Sequence, residues 1–295
     1  MERIKELNKD YIMSFYTYHL ITQTILHCGS GQSVGIVDQP IIRERATNLP
    51  IVPGATLRGV LRAHLSAQKD NAPLTKALFG PLAKDGAESF AGALSITDAH
   101  LLLLPVRSLY GIVAYATCPF ILQRYKKALG IAIDLPAESK DKAYVGKDSE
   151  NIAADKVVFE ELDIDAVKGG KAQEWAECLS KVMYSDDKDE AARTDFQQHF
   201  VILPDDVFAY LAETATEVRT RIRMNQDTGV VDNGALWTEE NLPAECVLWG
   251  SYSINEKAND QAHQFKEQAN TLLQMGGNAG VGSGLVQMMT QESES

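Results

Sequence analysis

No apolar run in this 295-residue chain approaches the roughly 20 residues that a membrane-spanning helix needs. The amino-terminal MERIKELNKD is polar and charged, unlike a secretion signal. A soluble, cytoplasmic protein that engages no membrane is the expectation. Cysteine is scarce. The four residues, Cys28, Cys118, Cys178 and Cys246, form no C-x-x-C pair, so neither a zinc site nor a disulfide framework is indicated. Positive charge is also in short supply: a net charge of −12 lacks the basic footprint that phosphate binding usually leaves. That deficit is local. Residues 134–217 carry 9 Lys and Arg against 21 Asp and Glu, while the remainder holds 19 of each sign. An acidic face there can be turned away from a polyanion. Internal repeats of solenoid length are missing too.

What the chain does have is apolar content, 45% of its residues, enough to bury a core as one elaborated domain or two small ones. Residues 14–27 alternate β-branched and aromatic side chains in the manner of a strand. The loop that follows, 28–53, is punctuated by Gly29, Gly31, Gly35, Pro40 and Pro50 and is too long for an idle connection. After Pro53 the pattern predicts a helix starting near Thr56, with Leu57, Leu61 and Leu65 on one face and Arg58 and Arg62 together on another. Two apolar strands beyond Gly92, joined near Pro105, and a helix over 121–129 come next. The acidic block reads as a flexible surface insertion with a strand at 156–162 and a helix at 171–183. In VRTRIRMNQDTGVVDNGALW, two alternating runs flank 225–229, which predicts a hairpin with Arg219, Arg221 and Arg223 on one face. A helix over 256–274, a glycine run and a strand from Leu285 close the chain.

The glycine run, Gly276, Gly277, Gly280, Gly282 and Gly284, could cradle a phosphate through backbone N–H groups. Dinucleotide and Walker loops run strand, glycines, helix; here the helix comes first and Ser283 stands where a lysine could help. A helix cap and turn is the plainer reading. Arg43, Arg45, Arg58 and Arg62 set four positive charges against Asp38 and Glu44 beside a helix start, a better anion site than either feature alone. Ion pairing around Glu44 competes with that account. The arginine stripe at 219, 221 and 223 suits phosphate oxygens, or simply keeps an exposed face soluble. Asp38 is a turn residue or a carboxylate that assists phosphodiester cleavage, holding a hydrated Mg²⁺ or polarising an attacking 2′-hydroxyl. His27 is a proton-transfer group or a structural histidine. Glu239 and Glu240 could complete an acidic cluster.

In order along the chain, His27-x-Gly29-Ser30-Gly31, GIVDQPIIRER, LPIVPGATLRGVLR, FAGALSITDAHLLLLPVRSLYG, ALWTEENLP and MGGNAGVGSGLV resemble the RAMP superfamily, in particular the backbone subunits of type III-B CRISPR effectors, the Cmr complexes. The resemblance implies a single RAMP-type domain over 1–295. It would be an α+β fold, a modified RNA-recognition (ferredoxin-like) palm with surface insertions, the acidic region 134–217 among them. A protruding thumb β-hairpin would lie at 218–238. It implies copies stacked along a CRISPR guide RNA beside other Cmr subunits, and cleavage of complementary single-stranded target RNA at six-nucleotide steps with a divalent metal, Mg²⁺. Asp38 then matches the family's loop aspartate required for cleavage, and His27 its strand-end histidine. The run from Gly276 to Gly284 matches its guide-approaching glycine loop, with Ser283 replacing a common lysine; Arg58 replaces another. Sequence-independent phosphate contacts suffice for such a role, because base pairing reads the target. The alternatives are a guide-binding module without nuclease activity and a nucleotide-dependent enzyme, the latter opposed by the helix-first order.

Overall fold

The computed structural model describes residues 14–31, 37–81, 90–136, 141–159, 162–184, 186–255 and 259–291. The amino-terminal segment, Gly35 and the expected helix start at Glu256 lie outside the described residues. The chain begins with β1 (Ser14–Thr22), β2 (Ile51–Val52), α1 (Gly54–Ser66), α2 (Ala72–Phe79), β3 (Leu94–Ile96), β4 (Ala99–Arg107), β5 (Val113–Thr117) and α3 (Pro119–Leu129). Next come β6 (Lys142–Val145), β7 (Ile152–Ala153), β8 (Lys156–Phe159), β9 (Leu162–Lys168), α4 (Lys171–Met183), α5 (Glu190–His199), β10 (Phe200–Ile202) and α6 (Asp205–Thr214). It ends with β11 (Glu217–Met224), β12 (Val231–Asn241), β13 (Val247–Ile254), α7 (Asn259–Ala269), β14 (Leu272–Gln274) and β15 (Leu285–Gln291). The α+β class expected from the sequence is borne out. The elements group into two compact units, one from Met1–Cys28, Ile51–His100 and Leu248–Ser295, the other from Gly29–Pro50 and Leu101–Val247.

In the first unit β15 lies between β14 and β1 and is antiparallel to both. β1 neighbours β13, which also pairs antiparallel with β3. The β1 strand ends at Thr22, paired with Val286, rather than running on to His27. There the N–H groups of Gln23 and Thr24 both donate to the Leu285 carbonyl, a convergence that turns the chain out of the ladder. Leu57, Leu61 and Leu65 of α1 are buried, as their i, i+4, i+8 spacing predicts. The helix starts two residues earlier than Thr56, because the carboxylate of Asp98 accepts the Gly54 N–H at 2.8 Å and occupies the amino terminus.

The second unit carries a mixed sheet in the order β4-β5-β10-β6-β9-β8-β7, with β5–β10 and β6–β9 parallel. Pro105 does not break the apolar run; it sits inside β4 opposite Tyr115. A proline costs a strand one N–H, whereas tight hairpin turns favour residues at positive φ. Gly111 (φ 73°) and Ile112 (φ 70°) supply that a few residues later. The acidic block is more than a surface feature. Trp175 and Leu179 of α4, Phe196 of α5 and Phe200 of β10 are fully buried, so its charge is confined to the outer faces of elements that build this core. β11 and β12 form a separate two-stranded hairpin. Its turn is closed by Asn225, whose side-chain oxygen accepts the N–H groups of Asp227 and Thr228, with Gly229 at φ 68°.

Truncating a fully buried leucine removes transfer energy and leaves a cavity. Leu61→Ala is therefore expected to lower the unfolding free energy by about 2–5 kcal/mol, which denaturant titration of the purified chain measures.

Candidate functional site

Asp38 is exposed, on a loop laid against β12 like a short additional strand. Gln39 bridges Glu239 in parallel register; its N–H donates to Thr238 O at 3.0 Å, and its carbonyl accepts the Glu240 N–H at 3.0 Å. The Asp38 carboxylate lies over Thr238, whose main-chain N–H and hydroxyl donate to Oδ2 at 2.8 and 3.0 Å. These two donors, the main-chain one foremost, hold the Asp38 carboxyl below the usual carboxylate range. It is thus an ionised, outward-facing acid at neutral pH.

The two glutamates beside it are buried and engaged. Glu240 accepts from Arg43 Nη2, from the Ile41 N–H at 3.0 Å and from the Thr216 hydroxyl at 3.0 Å. Glu239 accepts from Arg221 Nε at 3.0 Å and from the Trp237 indole at 2.9 Å. Arg43 also donates to the carbonyls of Asn48 and Ala212, binding the loop to the end of α6. Glu44 pairs with Arg124, which the sequence reading did not single out, and not with its neighbouring arginines. Arg45 is exposed and has no ion pair among the described residues.

On the hairpin, the stripe of arginines is present and each member meets an acid: Arg219 meets Glu217 at 2.9 Å, Arg221 meets Glu239 at 3.0 Å, and Arg223 meets Asp232 at 3.0 Å. The opposite face escaped the sequence reading. Val218, Ile222, Met224, Val231 and Leu236 are all exposed there, and Ile222 lies across from Leu236. The signal was the alternation itself, since every second residue between the arginines is apolar or Thr220.

His27 and the glycine run belong to the first unit. His27 is buried, and its carbonyl accepts the Gly277 N–H at 3.1 Å. Two of the five glycines are required by the protein's own backbone: at Gly276 a Cβ would strike the His27 carbonyl, and at Gly284 the Met275 carbonyl, both at positive φ. Gly280 and Gly282 have open space where a Cβ would lie, but the Gly282 N–H is already donated to the Ala279 carbonyl at 3.1 Å. Arg58 and Arg62 lie along α1 and turn to the end of α2, donating to the carbonyls of Phe79 at 3.2 Å and Gly80 at 2.9 Å. The Arg58 guanidinium also lies 5.2 Å from the Phe79 ring centre. Thr56, in the first turn of α1, is half-buried.

The structure thus joins Asp38, Glu239, Glu240, Arg43 and the hairpin arginines in one unit, and His27, Thr56, Arg58, Arg62 and the glycines in the other. Among the described residues no three His, Cys, Asp or Glu side chains gather to hold a metal ion. Hydrated Mg²⁺ takes about six oxygen ligands, and Asp38 with its two engaged neighbours is not a donor set for a protein-held ion.

An exposed, oriented carboxylate beside an arginine-lined hairpin, on an α+β scaffold with mixed sheets, defines a protein equipped to handle a polyanion. The chain belongs to the RAMP superfamily, whose family model matches residues 19–287, so the resemblance carried by the motifs is borne out. It is 36% identical over 293 residues to the CRISPR system Cmr endoribonuclease Cmr4 of Pyrococcus furiosus, covering 95% of this chain and 97% of that one. To the CRISPR system CMR subunit Cmr4 of Saccharolobus solfataricus it is 23% identical over 309 residues, covering 94% and 98%. The crystal structure of oligomeric Cmr4 from Pyrococcus furiosus matches with a TM-score of 0.72 at 28% identity, over 96% of this chain and all (100%) of that one. A chain of the type III-B Cmr-beta complex bound to cognate target RNA shares the fold, with a TM-score of 0.73 at 18% identity over 94% and 96% of the two chains.

Removing one partner of a buried ion pair leaves an uncompensated charge, at a cost of about 3–5 kcal/mol. Arg43→Ala is expected to destabilise the chain on that scale, whereas Arg45→Ala, at an exposed unpaired site, changes stability by less than about 0.5 kcal/mol. Parallel denaturant unfolding of the two variants checks the contrast.

Proposed function

We propose that this chain is a backbone subunit of a type III-B CRISPR ribonucleoprotein, stacking in copies along guide RNA beside other Cmr subunits and cleaving complementary target RNA with Asp38. The observation that carries the reading is the Asp38 carboxylate, exposed, ionised and fixed in direction on β12, in a chain 36% identical to a protein named as an endoribonuclease. In this reading β1, β13 and β15 with α1 and α7 are the palm, the hairpin of β11 and β12 is the thumb, and cuts fall at six-nucleotide steps. Asp38 accepts a hydrogen bond from the target's 2′-hydroxyl and aligns it on the adjacent phosphorus. The O2′–P bond forms and the P–O5′ bond breaks as the 2′-hydroxyl proton passes to the Asp38 carboxylate and O5′ takes a proton from water, leaving a 2′,3′-cyclic phosphate and a 5′-hydroxyl. Glu239 and Glu240 serve by holding the arginines and the loop, and His27 by shaping the glycine loop against which guide phosphates lie. Arg45 and the Gly280 backbone are the contacts open to phosphate in this reading, whereas the Gly282 N–H would first have to leave the Ala279 carbonyl. Mg²⁺ is part of the reading as an ion that arrives with RNA oxygens and water.

Asp38→Asn in the reconstituted complex is expected to slow target cleavage at least about 100-fold with guide and target affinities unchanged. A single-turnover assay on end-labelled target reads this, and a cleavage ladder of wild-type intensity would sink the assignment. The pH dependence has a definite sign. The carboxylate is the active form and its pKa lies below the usual range, so activity due to this group is retained well below neutral pH and is lost only as pH falls through the lowered value.

A further inference from the structure

The residue that fixes Asp38 was given no role by the sequence reading. We propose that Thr238 is a positioning residue for cleavage, its main-chain N–H and hydroxyl together holding one oxygen of the Asp38 carboxylate so that the other is presented to the target RNA. The inference rests on the assignment of Asp38 above and adds the group through which that residue is aimed.

Three hydrogen bonds close the arrangement. The Thr238 N–H donates to Oδ2 at 2.8 Å, the Thr238 hydroxyl donates to the same oxygen at 3.0 Å, and that hydroxyl accepts the Asp38 N–H at 3.1 Å. A hydroxyl has one proton to give and lone pairs to receive, so both of its functions are used at once. Both side-chain torsions of Asp38 are thereby fixed, although its side chain is exposed, where an unheld aspartate samples several rotamers. Both Thr238 donors converge on Oδ2.

The flanking backbone bonds, Gln39 N–H to Thr238 O and Glu240 N–H to Gln39 O, each 3.0 Å, fix the level at which Asp38 meets Thr238. Donation to the ionised carboxylate also favours its charged form. Thr238 lies opposite Thr220 of β11, so the clasp is built into the hairpin itself. Valine matches threonine in shape but lacks the hydroxyl, whereas serine keeps the hydroxyl and loses a methyl group. These two substitutions separate the hydrogen bond from the packing.

The test is single-turnover cleavage of labelled target by the complex reconstituted with Thr238→Val, Thr238→Ser or Asp38→Ala, followed across pH, with target affinity measured in parallel. Thr238→Val is expected to lower the rate constant about tenfold at unchanged target Kd and to move the acidic limb of the profile to higher pH, because a carboxylate that loses a donor has a raised pKa. Thr238→Ser is expected to cut within about twofold of wild type. Wild-type cutting by Thr238→Val with an unmoved acidic limb overturns the proposal, as does a Thr238→Ser variant as impaired as Thr238→Val, which would show packing alone. If Asp38→Ala is inactive while Thr238→Val is normal, only the role of Thr238 fails; if Asp38→Ala cleaves normally, the cleavage assignment falls with it.

Discussion

The carboxylate of Glu240 is buried, and it draws together groups that are far apart in sequence: Arg43 and the Ile41 N–H from the loop, and the Thr216 hydroxyl before β11. A buried anion left short of donors is expensive, so the loop has little freedom to slide along β12. With Ile41 fixed, Gln39 takes its place beside Glu239 and Asp38 comes to rest on Thr238. Slippage by a single residue would break the bridge and remove the Asp38 carboxylate from both Thr238 donors. The direction of the one acid proposed to act on RNA is thus set by an ion pair that does not itself touch RNA.

The first unit solves a different problem with backbone rather than charge. Its glycine run is folded back on the carbonyls of His27 and Met275, which only residues without a Cβ permit. Met275 and Gly284 are joined across the base of the loop by a bond of 2.8 Å, and Gly284 is further tied to Ile25 at 2.8 Å. Gly280 and Gly282, which have space around their α-carbons, lie at the far end of a loop anchored at its root. In the proposed role, a phosphate reaching Gly280 would meet a main-chain N–H that reads no base, which suits the holding of any nucleotide sequence alike.

Much of this was legible from the sequence where one local rule dominated. The leucine spacing of α1, the turn residues of the hairpin and the stripe of arginines appear in the structure as expected. Local rules failed where a distant residue intervened. The junction of the two strands was expected near Pro105, but the reversal falls at Gly111 and Ile112. The start of α1 depended on Asp98, 44 positions from Gly54. Arginines grouped by proximity in the sequence proved to have partners elsewhere: Arg43 at Glu240, and Arg58 and Arg62 at the end of α2. Thr238 could not be found this way at all, since its importance lies in facing Asp38 across 200 residues of chain. The motifs that carried the family resemblance located the acid without showing what holds it.

The paired arginines of the hairpin bear on how such a protein coexists with its own negative charge. Each guanidinium carries its own carboxylate, at Glu217, Glu239 or Asp232. Engagement of an RNA phosphate by one of them, as proposed, would therefore be an ion exchange: phosphate would displace carboxylate, the RNA would shed a condensed cation, and the freed carboxylate would recruit one from solution. The two movements oppose each other, so fewer ions are released overall than the number of arginines suggests. In the proposed role, a hairpin built this way would grip nucleic acid with an affinity that varies less steeply with ionic strength than a bare basic patch, its arginines carrying little net attraction toward stray polyanions until the geometry is right.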